Sequence, residues 1–140
     1  MRRAIYLIVG TPGSGKTWVC NQLEDQYNYL PHDDFAGQKD GAYVMAAARL
    51  ADFSDKPVLI ETPFSVSKIR EPLLKRGFDV VPVFIIESEA VTSQRYEKRE
   101  GKQIIPGHLS RIKTYIERAA ELNAFSGTSE EVLKHMKEIL

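Results

Sequence analysis

The chain has 140 residues, of which 43% are hydrophobic and 27% charged, and its 19 Lys and Arg residues balance its 19 Asp and Glu residues. This length favours one compact domain, and the zero net charge argues against a protein that coats nucleic acid or an anionic membrane. Cys20 is the only cysteine, so we expect no internal disulfide. The apolar run at residues 4–9 is too short to span a membrane, which predicts a cytoplasmic protein without a membrane partner.

Apolar runs alternate along the chain with segments of helical periodicity, a pattern typical of βαβ units. The predicted strands cover residues 4–9, 27–30, 58–60, 79–86 and 124–126. The predicted helices cover residues 15–26, 41–53, 65–76, 88–100 and 109–123, and a sixth follows the capping-box pattern at 128–131. Pro72 is expected to shorten or kink the third helix. The predicted fold is therefore α/β, with a five-stranded, mostly parallel sheet flanked by helices.

The segment GTPGSGKT at residues 10–17 fits the pattern G-x-x-x-x-G-K-[ST] and lies between a predicted strand and a predicted helix. Such a loop cradles phosphate with its backbone N–H groups, Lys16 reaches the β- and γ-phosphates, and the Thr17 hydroxyl ligates Mg²⁺. The sequence thus predicts ATP and Mg²⁺ as cofactors, bound by Gly10, Gly13, Ser14, Gly15, Lys16 and Thr17.

Two carboxylates follow the second predicted strand, at the sheet edge where ligands of open α/β sheets bind. Asp33 is the predicted general base, which accepts the proton of an attacking hydroxyl, and Asp34 is assigned to substrate orientation. The alternative is that both are turn or capping residues. Glu61 lies at the end of the third predicted strand. Its carboxylate is a candidate for contact with Mg²⁺ through water or for pairing with Lys16, and the alternative is a strand end that faces solvent.

Aromatic side chains near this edge are candidates for stacking on a substrate base, with burial in the core as the alternative. They are Phe35, Tyr43 and Phe64. Trp18 and Cys20 are expected to pack in the core, whereas His108 and His135 are expected to be exposed on helices.

Residues 95–118 carry seven Lys or Arg residues against three Glu residues, a local net charge of +4 within a neutral chain. Arg95 and Arg99 are four apart and share a helix face that leads into the loop at 101–107. We predict a lid at about residues 95–111 whose arginines bind the nucleotide phosphates. The alternative is a solvated helix face stabilised by Glu–Lys pairs.

Four segments, GTPGSGKT, HDDF, VLIETPF and RYEKREGKQIIPGHLSRIKTYIE, resemble in order the kinase domain of phage polynucleotide kinase and its relatives. The resemblance implies that Asp33 is the general base, that Lys16 and Arg99 clamp phosphate, and that Arg95 supports the lid. Ala36 departs from the family, whose basic residue at this position grips the acceptor's 3′-phosphate. Relatives from phages that hypermodify thymine phosphorylate 5-hydroxymethyluracil in DNA instead.

The leading hypothesis is a single P-loop kinase domain over residues 1–140, located in the host cytoplasm if phage-encoded. It transfers the γ-phosphoryl group of ATP to a hydroxyl of a nucleic acid, with 5-hydroxymethyluracil in DNA placed ahead of a polynucleotide 5′-OH. One alternative is a kinase of a free nucleotide, nucleoside or small metabolite. Another is a non-catalytic nucleotide-binding regulatory module.

Overall fold

The structure is a computed structural model that describes residues 4–31, 40–62 and 66–140. Five strands alternate with six helices in these ranges. In chain order they are β1 Ile5–Val9, α1 Lys16–Leu23, β2 Asn28–Leu30, α2 Asp40–Phe53, β3 Val58–Thr62, α3 Val66–Lys75, β4 Val80–Ile85, α4 Glu89–Glu100, α5 Pro106–Glu121, β5 Phe125–Gly127 and α6 Ser129–Glu138. No helix within the described ranges combines the length and the apolar character needed to cross a bilayer.

The strands form one parallel sheet in the order β2-β3-β1-β4-β5, which confirms the predicted α/β fold. β1 lies at the centre, and Val9 at its end is in register with Thr62 of β3 and Phe84 of β4. The carboxyl ends of the three central strands therefore meet at one edge. The chain leaves β1 at this edge through the glycine-rich segment 10–15.

Both faces of the sheet are covered, which explains why its central strands are nearly continuous in apolar residues. Ile5, Leu7 and Val9 belong to a core cluster shared with α2, α3 and α5. Ile8 faces the opposite side, in a cluster shared with α1 and α6. The alternation along β1 thus divides the helices into two layers.

Several expected helix features differ in the structure. α1 ends at Leu23, three residues before the expected end at 26. α5 begins at Pro106 rather than at 109, because proline is well suited to the first helical position, where an N–H would have no intrahelical partner. The connection between α4 and α5 is accordingly only residues 101–105. α3 continues past Pro72 to Lys75, and Ile69 and Leu73 bury one face of it in the core.

Candidate functional site

The glycine-rich loop after β1 is a tight turn whose shape depends on glycine. Gly13 and Gly15 have φ angles of 87° and 98°, in the left-handed region that other residues rarely adopt. The N–H of Ser14 donates to the carbonyl of Thr11 over 3.1 Å, which closes the turn. A Cβ at Gly10 would collide with Ser14 Oγ, a buried hydroxyl without a hydrogen-bond partner among the described residues. The loop therefore has the compact backbone that a phosphate cradle requires.

Lys16 begins α1 and folds back over this loop, where its Nζ donates to the carbonyl oxygen of Thr11 over 3.2 Å. Burial, assisted by the positive charge of Arg99, lowers the pKa of Lys16 to about 8, although the Glu61 carboxylate acts in the opposite direction. The ammonium group is thus held where little negative charge stabilises it. A bound phosphate would supply that charge.

Thr17 and Glu61 form the second polar pair of the site. The Thr17 hydroxyl donates to Glu61 Oε1 over 2.7 Å, and the Tyr29 hydroxyl donates to Glu61 Oε2 over 3.3 Å. Glu61 is only 5% exposed, so it is not the solvent-facing strand end that the sequence left open. A hydroxyl beside a carboxylate is a set of hard oxygen donors that suits Mg²⁺.

Two arginines of α4 reach the same place. Arg95 Nη1 lies 3.0 Å from the Ser14 carbonyl oxygen, which attaches α4 to the loop. Arg99 Nε donates to Glu100 Oε1 over 2.9 Å, and its guanidinium lies 5.9 Å from the centre of the Tyr96 ring. Both arginines border a cavity of about 240 Å³, together with Gly13, Gly15, Lys16, Thr17 and Trp18.

Trp18 is 46% exposed beside the loop, so the expectation that it packs in the core was wrong. It borders a second cavity of about 340 Å³ with Gly15, Arg95, Ser129 and Glu130. The two cavities share Gly15, Trp18 and Arg95 and therefore adjoin. The sequence contains a signal for this exposure. Val19, Cys20 and Leu23 form the buried face of α1, and helical spacing places Trp18 on the opposite face.

Tyr43 is 3% exposed and lies in the core, so its ring offers no open face to a substrate. Its hydroxyl is within hydrogen-bond distance of the carbonyl oxygens of Leu30 and Glu61. Tyr43 therefore braces the ends of β2 and β3 and does not support the predicted stacking role. The other predicted acceptor-side residues, Asp33, Asp34, Phe35 and Phe64, lie outside the described residues.

The two helical histidines are less exposed than expected. His108 at the start of α5 is partly buried, with its ring centre 5.7 Å from that of Tyr96. Burial, the charge of Arg111 and, to a lesser degree, the charge of Lys16 lower the pKa of His108. His135 stacks in parallel on Phe125 at 3.9 Å, away from the loop.

Comparisons with known proteins find similar folds at low sequence identity. A gluconokinase from Sinorhizobium meliloti 1021 is 20% identical with a TM-score of 0.61, over 95% of this chain and 90% of that one. The tunicamycin resistance protein of Deinococcus radiodurans is 16% identical with a TM-score of 0.66, over 96% and 93%. Shikimate kinase from Acinetobacter baumannii is 14% identical with a TM-score of 0.58, over 98% and 92%.

No protein-family model matches the sequence, and a search of curated proteins also gives no match. None of the three structures described above is a polynucleotide kinase or a phage hydroxymethyluracil kinase. They therefore give no support to the finer resemblance suggested by the sequence. The coarser expectation is confirmed: the chain has an α/β fold of the P-loop kinase type, with a five-stranded parallel sheet flanked by helices.

Proposed function

We propose that this protein is an ATP- and Mg²⁺-dependent kinase that phosphorylates a hydroxyl group of a small metabolite. The observation that carries the proposal is the convergence of Lys16, Thr17, Arg95 and Arg99 on one cavity at the glycine-rich loop. Three cations and a hydroxyl around a loop of N–H donors suit a polyphosphate ligand. The P-loop kinase fold supports the same proposal.

In this proposal the loop 10–15 cradles the β-phosphate and Lys16 binds the β- and γ-phosphates. Thr17 and Glu61 would hold Mg²⁺, Thr17 directly and Glu61 through a water molecule. The ion supplies positive charge that offsets the negative charge of the phosphates during transfer. Arg99 is exposed and borders the same cavity, so it is the arginine suited to follow the γ-phosphate as it leaves.

The segment 95–111 acts in this proposal as a short lid of the single kinase domain. It comprises the end of α4, the connection 101–105 and the start of α5, which brings His108 towards the loop. Closing such a segment over ATP excludes water, which prevents hydrolysis from competing with transfer.

The acceptor is assigned to a small molecule on two grounds. The structurally similar proteins include a gluconokinase and a shikimate kinase, and the alignments cover at least 90% of each of those chains. The net charge of zero also argues against a protein that coats a polymer of phosphates.

A nucleic-acid hydroxyl, in 5-hydroxymethyluracil DNA or at a 5′ end, is the second candidate. The observation that favours it is the sequence combination of an Asp-Asp pair after β2 with an R-x-x-x-R spacing in α4, together with the +4 charge of residues 95–118.

One experiment separates these candidates. The protein is incubated with Mg²⁺ and ATP radiolabelled in its γ-phosphate, in parallel with sugars and sugar acids, shikimate, nucleosides, 5′-OH oligonucleotides and hydroxymethyluracil DNA. Label on a small molecule supports the proposal, and label on DNA alone would replace it by the second candidate. Label on no acceptor, with intact ATP binding, would favour the non-catalytic module instead.

The general base is tested by Asp33→Asn, with Asp34→Asn as the neighbouring control. The amide cannot accept the proton of the attacking hydroxyl, so we expect kcat to fall by about 10² to 10⁴-fold while ATP affinity is preserved. Asp34→Asn should lower kcat far less, since it is assigned to orientation. A kcat of Asp33→Asn within twofold of wild type would remove Asp33 from its assigned role.

A further inference from the structure

Glu87 lies two residues beyond β4, and its carboxylate is among the few buried charges of the described chain. Its side chain is 8% exposed. Oε2 accepts hydrogen bonds from Arg95 Nη1 over 2.8 Å and from the Ser129 hydroxyl over 3.0 Å, and the Ser129 N–H lies 3.5 Å away. Glu87 thereby joins α4 to the start of α6.

Arg95 connects this carboxylate to the glycine-rich loop. The nitrogen that Glu87 holds, Nη1, also lies 3.0 Å from the carbonyl oxygen of Ser14. Within the described ranges Nη2 and Nε of Arg95 make no hydrogen bond, and the side chain borders both cavities beside Trp18. Nη1 is therefore held in place, whereas Nη2 and Nε remain available to donate to a ligand.

Arg99 differs from Arg95 in its surroundings. Its partner is Glu100, its neighbour in the chain, and the two side chains are 55% and 41% exposed. An exposed pair of this kind contributes little and breaks readily. Arg95 is 43% exposed, but its partner Glu87 is only 8% exposed. The same helix therefore presents one arginine in a fixed position and one that can move.

We propose that Glu87 is a positioning residue for nucleotide binding, acting through Arg95, which it holds in place against the Ser14 carbonyl before ATP arrives. The inference rests on the proposed function and adds to it a residue that does not border the cavity. Its physical basis is side-chain entropy: an unrestrained arginine must be ordered when the phosphate binds, whereas an arginine already held by Glu87 need not be.

The test is Glu87→Gln, which keeps the shape of the side chain but removes the charge that orders Arg95. Glu89→Gln is the matched control, because Glu89 is a nearby acid exposed at the start of α4. With ATP affinity measured by isothermal titration calorimetry, Glu87→Gln should raise the Kd about three- to tenfold, the cost of ordering one long side chain. Once an acceptor is known, kcat at saturating ATP should stay within about twofold of wild type.

A double-mutant cycle with Arg95→Ala separates positioning from general stability. If Glu87 acts through Arg95, adding Glu87→Gln to Arg95→Ala should not weaken ATP binding further. Arg95→Ala alone leaves a buried carboxylate without its cation, so the double variant should melt at a higher temperature than Arg95→Ala. A merely structural role for Glu87 would lower the melting temperature of Glu87→Gln without changing its Kd.

An unchanged Kd in Glu87→Gln, or an equal loss of affinity with and without Arg95, would overturn the positioning role while leaving the kinase proposal intact. A wild-type protein that binds no ATP would overturn the proposed function and the positioning role together. Titration of the wild-type protein with ATP thus distinguishes failure of the positioning role from failure of the proposed function.

Discussion

The ammonium group of Lys16 combines two properties that its motif alone does not reveal. It is close enough to the loop to donate to the Thr11 carbonyl, and it is buried enough that its pKa falls from 10.5 to about 8. A phosphate placed beside it would favour the charged form and raise the pKa again. In the proposed function, binding of ATP is therefore coupled to the protonation of this one side chain.

This coupling predicts how ATP affinity depends on pH. Below about pH 7 Lys16 is almost fully charged, so its charge state should no longer change the affinity. As the pH rises from about 8 to about 9.5, free Lys16 loses its proton while bound Lys16 keeps it, and affinity should fall by up to about tenfold per pH unit. The measurement is calorimetric titration with Mg²⁺-free ATP in buffers of different ionisation enthalpy, which also counts protons taken up.

Lys16→Arg is the matched control, because arginine remains charged throughout this range. Its affinity for ATP, whatever its absolute value, should vary much less between about pH 8 and about pH 9.5. An equal slope in both proteins would mean that another group titrates.

The residues of the site differ in how far the sequence could predict them. Lys16 and Thr17 are fixed by a local motif, whose spacing and flanking elements determine the geometry of the loop. Glu61 contacts Thr17, 44 positions away, and Glu87 contacts Ser129, 42 positions away, and no local pattern carries that information. The contact of Glu87 with Arg95 is only eight positions away, but β4 and α4 must form before the two side chains meet. For Tyr43 the sequence leaves stacking and core burial both open, because aromatic residues near an edge look the same in sequence whether they line a cleft or fill a core.

At the scale of elements, α4 and the glycine-rich loop pack backbone against backbone. A Cβ at Gly13 would lie 2.5 Å from the carbonyl oxygen of Thr92 and 3.2 Å from Tyr96 Cβ. Thr92 and Tyr96 are both buried in α4. Gly13 is thus required both by its φ angle and by the approach of the helix.

Gly13→Ala should consequently destabilise the protein and weaken ATP binding. The left-handed backbone costs about 1–2 kcal/mol for alanine, and the crowding against α4 costs about 1–3 kcal/mol more. We expect the free energy of unfolding in urea to fall by about 2–5 kcal/mol, with a higher Kd for ATP.

Gly107→Ala is the control for this substitution. Gly107 lies in the first turn of α5 with no atom near its Cβ position and an ordinary φ angle. Alanine there should raise the free energy of unfolding by about 0.5–1 kcal/mol, because it restricts the unfolded chain. A Gly13→Ala protein as stable as wild type would contradict the close packing of α4 on the loop.

The elements themselves were largely predictable because each is set by local periodicity and flanking residues. All five strands appear close to their predicted positions. For the central strands β1, β3 and β4 the reason is that a parallel sheet covered on both faces selects nearly continuous apolar runs. The start of α5 was misplaced because Pro106 was interpreted as part of a loop, although proline also begins helices.

For the whole molecule, stability depends on covering both faces of the sheet, and α6 is the last element to do so. Val132 and Met136 fill the core beside α1, and the Tyr27 hydroxyl donates to the Met136 carbonyl oxygen over 2.6 Å. A capping box between Thr128 and Glu131 starts the helix at the residue that Glu87 holds. The carboxyl-terminal helix thus supports both the core and the site.

Met136→Ala tests this dependence. The side chain is 0% exposed, so its truncation leaves a cavity and should lower the free energy of unfolding by about 2–5 kcal/mol. Lys137→Ala, at an exposed position of the same helix, should change it by less than about 0.5 kcal/mol. Equal denaturation midpoints for the two variants would show that α6 contributes little to the core.

Trp18 and Cys20 together make the protein well suited to an optical test of the proposed lid. The sequence has one tryptophan, which lies at the cavity, and one cysteine, which is buried and whose pKa is raised well above its usual value by burial. A maleimide dye should therefore not react with Cys20. It should react with a cysteine introduced by Ile105→Cys, since Ile105 is 55% exposed in the α4–α5 connection. Contact quenching between that dye and the Trp18 indole would then report each approach of the connection to the cavity, with a single substitution in the chain.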